Sequence, residues 1–124
     1  MFTNELWNKA SGGASYPRTT KGIFAYGSGV TAISNLVSNT GVVASDVAGV
    51  GTARAGLGAC TYGYDKGVYR GGSGTGNSPV YSTSNLVSNT GVMGSDVTGV
   101  GTARSRATAL SYGEDKGIYR GGFA

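Results

Sequence analysis

The sequence predicts an all-β fold built from tandem four-stranded antiparallel units, two full copies with a degraded half-copy in front. Three observations carry this. Residues 34–72 and 84–122 are identical at 28 of 39 positions at a constant offset of 50, so the two segments must fold alike. Within each copy, short runs of β-formers alternate with Gly-marked turns. No window carries a sustained apolar stripe at i, i+3, i+4, i+7, and a helical turn is readable only near residues 4–9.

Taken in order, residues 33–38 read as a short strand, and Asn39-Thr40-Gly41 as a turn in which Gly is free to take positive φ. Val42, Val43 and Val47 lie in the next stretch, which Gly49-Val50-Gly51 interrupts. Small residues dominate positions 52–62, as in a strand whose neighbours approach closely. Residues 63–67 form a turn, and Val68-Tyr69-Arg70 a strand stopped by Gly71-Gly72. The small-residue strand and the Tyr-Arg strand make the first two of a unit; Asn-Leu-Val-Ser and the Val-rich stretch make the third and fourth. Four short strands in about 50 residues is the size of one β-propeller blade. Residues 15–24 parallel 61–69 with one extra residue, a worn third copy of the first half. The expected organisation is an N-terminal arm with the half-repeat at 1–27, repeat one at 28–77 and repeat two at 78–124, within one domain.

Composition narrows the chemistry. The 124 residues include 24 Gly but only two Pro, and 39% hydrophobic residues, enough for a core. There is no His, so the usual general base and the commonest metal ligand are missing. The single Cys60, matched by Leu110 in the second copy, reads as a small hydrophobe rather than a nucleophile. The four Asp at 46, 65, 96 and 115 are isolated and form no calcium-loop pattern. No run of about 18 apolar residues suits a membrane helix, and residues 1–7 do not resemble a signal peptide. A net charge of +4 without basic blocks offers little to nucleic acid. The expectation is a non-enzyme without cofactor or metal.

The stretch Lys-Gly-Val-Tyr-Arg-Gly-Gly at 66–72, with its partner at 116–122, resembles the double-glycine strand end of kelch repeats. The whole unit, with Asn-Leu-Val-Ser-Asn-Thr-Gly-Val, Gly-Val-Gly-Thr-Ala-Arg, Tyr-Gly and Asp-Lys, is more similar to repeats in structural proteins of tailed, marine-type bacteriophages. It departs from kelch repeats in lacking the fourth-strand Trp. The resemblance implies a virion component in the capsid, the tail or a fibre.

Two and a half units cannot close a propeller, which takes four to eight blades, and open strand edges invite association. A homo-oligomer is therefore expected. A trimer making six blades is favoured, with residues 1–27 as a stapling arm; a dimer making five is the alternative. Other virion proteins are the further expected partners. Phe2, Leu6 and Trp7 are candidate anchors on a neighbour. Arg54 and Arg104 hold equivalent places, as do Arg70 and Arg120, and a ring of them would suit an acidic or phosphorylated partner. Alternatively they form ion pairs with Asp46 and Asp96, or with Asp65 and Asp115. Among the tyrosines, Tyr64 is the candidate for stacking on a surface glycan because it sits in a turn, although Glu114 replaces it in the second copy. The Gly-rich piece 71–76 reads as a flexible linker.

Overall fold

The computed structural model describes residues 20–124. Seven strands lie in chain order: β1 (Gly22–Ala25), β2 (Ser34–Val37), β3 (Gly58–Tyr62), β4 (Lys66–Arg70), β5 (Ser84–Val87), β6 (Thr108–Tyr112) and β7 (Lys116–Arg120). There is no α-helix among the described residues; one 3-10 turn covers Thr75–Asn77. The protein is mostly β, in small antiparallel sheets.

β1 pairs with β2, β3–β4–β5 form a second sheet, and β6 pairs with β7. Isolated bridges add an irregular outer strand to the first two sheets. Ser34 opposes Val47 and Val37 opposes Val43; fifty residues on, Ser84 opposes Val97 and Val87 opposes Met93. Each pair of bridges sets three steps on the inner strand against four on the outer, which is a β-bulge. The expected four-strand order is thus present in the second sheet: β3, β4, β5 and the 93–97 stretch. That sheet runs across the 77/78 boundary drawn from the sequence, because β4 of one repeat pairs with β5 of the next.

The register explains this. Lys66-Gly67-Val68-Tyr69-Arg70 offers alternate faces, and Gly67↔Val87 through Arg70↔Ser84 fix β5 against it. β1 repeats the arrangement, with Gly22↔Val37 through Ala25↔Ser34. Residues 22–25, at the end of the expected arm and half-repeat, form a strand of the first sheet. The helical turn expected near 4–9 and the anchors Phe2, Leu6 and Trp7 lie outside the described residues.

Successive sheets stack face to face, and equivalent positions meet. The Thr61 and Ser111 hydroxyls, one repeat apart, are 2.7 Å from each other. The Tyr69 hydroxyl donates to the Ile23 carbonyl at 3.0 Å, and the Tyr119 hydroxyl to the Val68 carbonyl at 2.9 Å. Gly58 makes the second contact possible: a Cβ there would lie 2.9 Å from the Tyr119 ring. The small-residue strand expected over 52–62 is realised only at 58–62, where the ring comes down. Residues 71–76 are not a loose linker. Gly71, Gly72 and Ser73 are buried, and Ser73 exchanges backbone hydrogen bonds with Ala55 at 2.8 and 2.9 Å.

The apolar core is small: Tyr26, Tyr69, Val87 and Met93, with Ile23, Ala25, Ala32, Val50 and Leu57 packed against it. The largest fully buried side chains are polar, Arg54 and Asn85.

Candidate interaction site: the polar seam between repeats

The seam begins with backbone placement. Arg54 bridges Thr31 in the β1–β2 loop, with its N–H on the Thr31 carbonyl at 3.4 Å and its own carbonyl accepting from Gly27 at 3.3 Å. From there its side chain crosses to the second sheet. Nη1 donates to the Thr83 carbonyl at 2.9 Å, and Nη2 donates to Asn85 Oδ1. The guanidinium lies over the Tyr26 ring at 5.1 Å and the Tyr81 ring at 6.0 Å. Two rings and two acceptors are what a fully desolvated cation requires to be tolerated.

Asn85 carries the contact onward. Its Nδ2 donates to the Gly94 carbonyl at 3.2 Å and to Asp96 Oδ1 at 2.9 Å. Asp96 reaches back to the first repeat, accepting from the Thr52 N–H at 3.1 Å and from the Thr52 hydroxyl at 2.6 Å. A Cβ at Gly51, whose φ is +79°, would run into the Asp96 carboxylate and lie 2.6 Å from the Asn85 amide. Burial alone would raise the Asp96 pKa, but hydrogen bonds from Thr52 and Asn85 and the Arg54 charge more than offset it and hold the carboxyl below its ordinary value. The tyrosines of the stack shift the other way, since burial pushes the phenols of Tyr69 and Tyr119 up.

Arg54 is thus fully buried rather than a surface receptor for an anion. Neither expected pairing is made: no Arg–carboxylate salt bridge occurs among the described residues, and Asp65 and Asp115 pair with their neighbours Lys66 and Lys116 at 2.9 and 2.8 Å. Arg70 places its guanidinium 5.7 Å from the Tyr119 ring centroid and donates to the Val100 carbonyl, so it too serves the stack. Arg120 is exposed on β7. Arg104 holds Tyr81 and Gly72 through its backbone, while its Nε is buried without a hydrogen-bond partner, as is that of Arg54. Tyr64 sits in the β3–β4 turn at φ +72°, matched by Glu114 at φ +66°. Among the described residues no group of three or more Cys, Asp or Glu is placed to hold a metal ion.

Sequence reasoning named the arginine, and Asp96 among its possible partners, but missed Asn85, which stands between them, and Thr52, which binds Asp96 from the other side. Their signal was present: Thr-Ala-Arg, Ser-Asn-Leu-Val and Ser-Asp-Val are retained unchanged in both copies. Nothing in the spacing showed that they meet.

A groove of about 550 Å³ lies between the first and second sheets, lined by Ile23, Leu36, Ala59, Tyr69 and Val87, with Lys21 and Asp65 also in its wall. Between the second and third sheets, β3 stands in the corresponding place beneath Tyr119. The first-sheet positions matching β3 precede Thr20 and lie outside the described residues. No protein-family profile matches the chain, and no curated protein matches its sequence.

Proposed function

We propose that the protein is a structural component of a tailed-bacteriophage particle, in capsid, tail or fibre, acting by multivalent assembly of stacked, propeller-blade-like β units. The observation that carries the assembly part is the use of the repeated side chains. Tyr69, Tyr119, Arg54, Thr61 and Ser111 all spend their polar groups on the adjacent unit. A repeat whose side chains are committed to its neighbours builds an array. The phage setting rests on the repeat's resemblance alone.

The outer sheets keep apolar side chains in solvent. Phe24 is 68% exposed on β1, and Leu110 and Ile118, opposed across β6 and β7, are 53% and 49% exposed. Such surfaces favour association with further units, of this chain or of particle proteins. The glycan-binding alternative has less support: its candidate Tyr64 does sit in the β3–β4 turn, but Glu114 takes that place in the second copy, and Tyr69 and Tyr119 are packed between sheets.

The test is the native mass of the purified chain by light scattering over a range of concentrations. A discrete multiple of 12.4 kDa supports self-assembly. A monomer at every concentration sinks it and directs the search to a particle protein as the obligate partner.

A further inference from the structure

The two ends of the stack carry complementary halves of the same seam. In the middle of the chain, Thr52 and Arg54 of one repeat are received by Asn85 and Asp96 of the next, beside the pairing of β4 with β5. Fifty residues on, among the described residues, Thr102 and Arg104 have no counterpart of Asn85 or Thr83 and β7 has no strand on the edge where β4 holds β5. Fifty residues earlier, Asn35 and Asp46 form the acceptor half. Asn35 Nδ2 donates to the Ala44 carbonyl at 3.2 Å and to Asp46 Oδ1 at 2.8 Å, matching Asn85 bond for bond, yet no arginine approaches them among the described residues.

We infer that the open edge of β7 receives residues 34–47 of a second copy of this chain by strand exchange, with Arg104 and Thr102 of the first copy bonding Asn35 and Asp46 of the second. This rests on, and deepens, the self-assembly reading above. The register follows from β4–β5: Gly117↔Val37, Ile118↔Leu36, Tyr119↔Asn35 and Arg120↔Ser34. β7 takes the place of β1, which pairs with β2 in the same register. The second copy's Tyr69 hydroxyl then bonds the Ile118 carbonyl in place of that of Ile23.

Two features favour the exchange over the closed chain. Leu110 and Ile118 become covered by the second copy's second sheet, as Cys60 on β3 is covered by β7 within the chain, where it lies against Gly117. Arg104 also meets Asn35, itself bonded to Asp46, as Arg54 meets Asn85 and through it Asp96 in the internal seam. Strand exchange between identical chains needs no new contact type. Because donor and acceptor lie at opposite ends, the contact is head-to-tail, giving rings where the rotation closes and filaments where it does not.

The test uses the full chain with Arg104→Ala and Asp46→Ala made separately, each checked for a cooperative melt. Neither variant alone self-associates as wild type does, its association weakening at least about tenfold for the lost charged hydrogen bonds. An equimolar mixture forms dimers and nothing larger, since each variant retains one intact end. In parallel, Leu36→Cys and Ile118→Cys are made in separate chains, both also carrying Cys60→Leu. Mixed under oxidation, they are expected to give a 36–118 cross-linked dimer by mass spectrometry. Oligomers that ignore both substitutions and yield no 36–118 link overturn the exchange while leaving self-assembly standing. A chain monomeric at every concentration overturns both.

Discussion

The Tyr119 hydroxyl donates to the Val68 carbonyl at 2.9 Å, and Tyr69 repeats the bond to Ile23 one unit earlier at 3.0 Å. The same tyrosine in consecutive repeats thus closes consecutive sheet interfaces, the Tyr119 ring lying over Gly58 and the Tyr69 ring 5.5 Å from that of Tyr26, with both hydroxyls bonded to backbone. Tyr119→Phe keeps the ring and removes the bond to the Val68 carbonyl, so a loss of about 1 kcal/mol is expected from urea unfolding. Tyr119→Ala removes the ring as well and costs about 3 kcal/mol or more.

Gly58→Ala tests the close approach from the other side. The added methyl meets the Tyr119 ring at 2.9 Å, with the Ala107 carbonyl at 3.1 Å, so neither neighbour gives way freely. A destabilisation of about 1–3 kcal/mol is expected for this overpacking. The equivalent Thr108→Ala lies on an exposed position and should shift the midpoint by less than about 0.5 kcal/mol. Comparable losses at the two sites would contradict the stacking described.

Arg54 is the most sensitive single position. Arg54→Lys keeps the charge but cannot reach both the Thr83 carbonyl and Asn85 with one planar fork. Arg54→Ala leaves Asn85 Oδ1 without its donor and empties the space between the Tyr26 and Tyr81 rings, and a loss of about 3 kcal/mol or more is expected. Thermal unfolding followed by far-ultraviolet circular dichroism should show both variants melting well below wild type, lysine included.

Stability should fall at both extremes of pH. The Asp96 carboxyl is held below its ordinary value in the fold, so its contribution is complete above the unfolded pKa of about 4 and is lost as pH drops further. Tyr69 and Tyr119 are raised in the fold, so their contribution is complete below the unfolded phenol value of about 10 and is lost as pH rises beyond it. Urea midpoints measured from acid to alkali should form a plateau between these limits. Asp96→Asn should flatten part of the acid side, the rest belonging to Asp65 and Asp115, which hydrogen bonds from Lys66 and Lys116 also hold below their ordinary value; an acid limb unchanged in Asp96→Asn would contradict its role in the seam.

Much of this was legible in the sequence because a repeat constrains its own interpretation. The 50-residue offset, the turn at Asn39-Thr40-Gly41 and the stop at Gly71-Gly72 follow from strand chemistry and from Gly tolerating positive φ, which Gly41 adopts at +83°. The all-β class and the order of strands within a unit follow from the same local signals. Tertiary structure decided what those signals leave open. The sequence marks where a repeat recurs but not where a sheet begins, so only the pairing of Tyr69 with Asn85 shows that the second sheet is assembled from two repeats. It marks Arg54 as repeated but not as buried; that depended on Tyr26, Tyr81, Thr83 and Asn85 arriving from both sides of the chain. The physical reason is range. Turn and strand preferences act over a few residues, whereas desolvating a guanidinium depends on groups some thirty positions away that meet it only once the sheets have stacked.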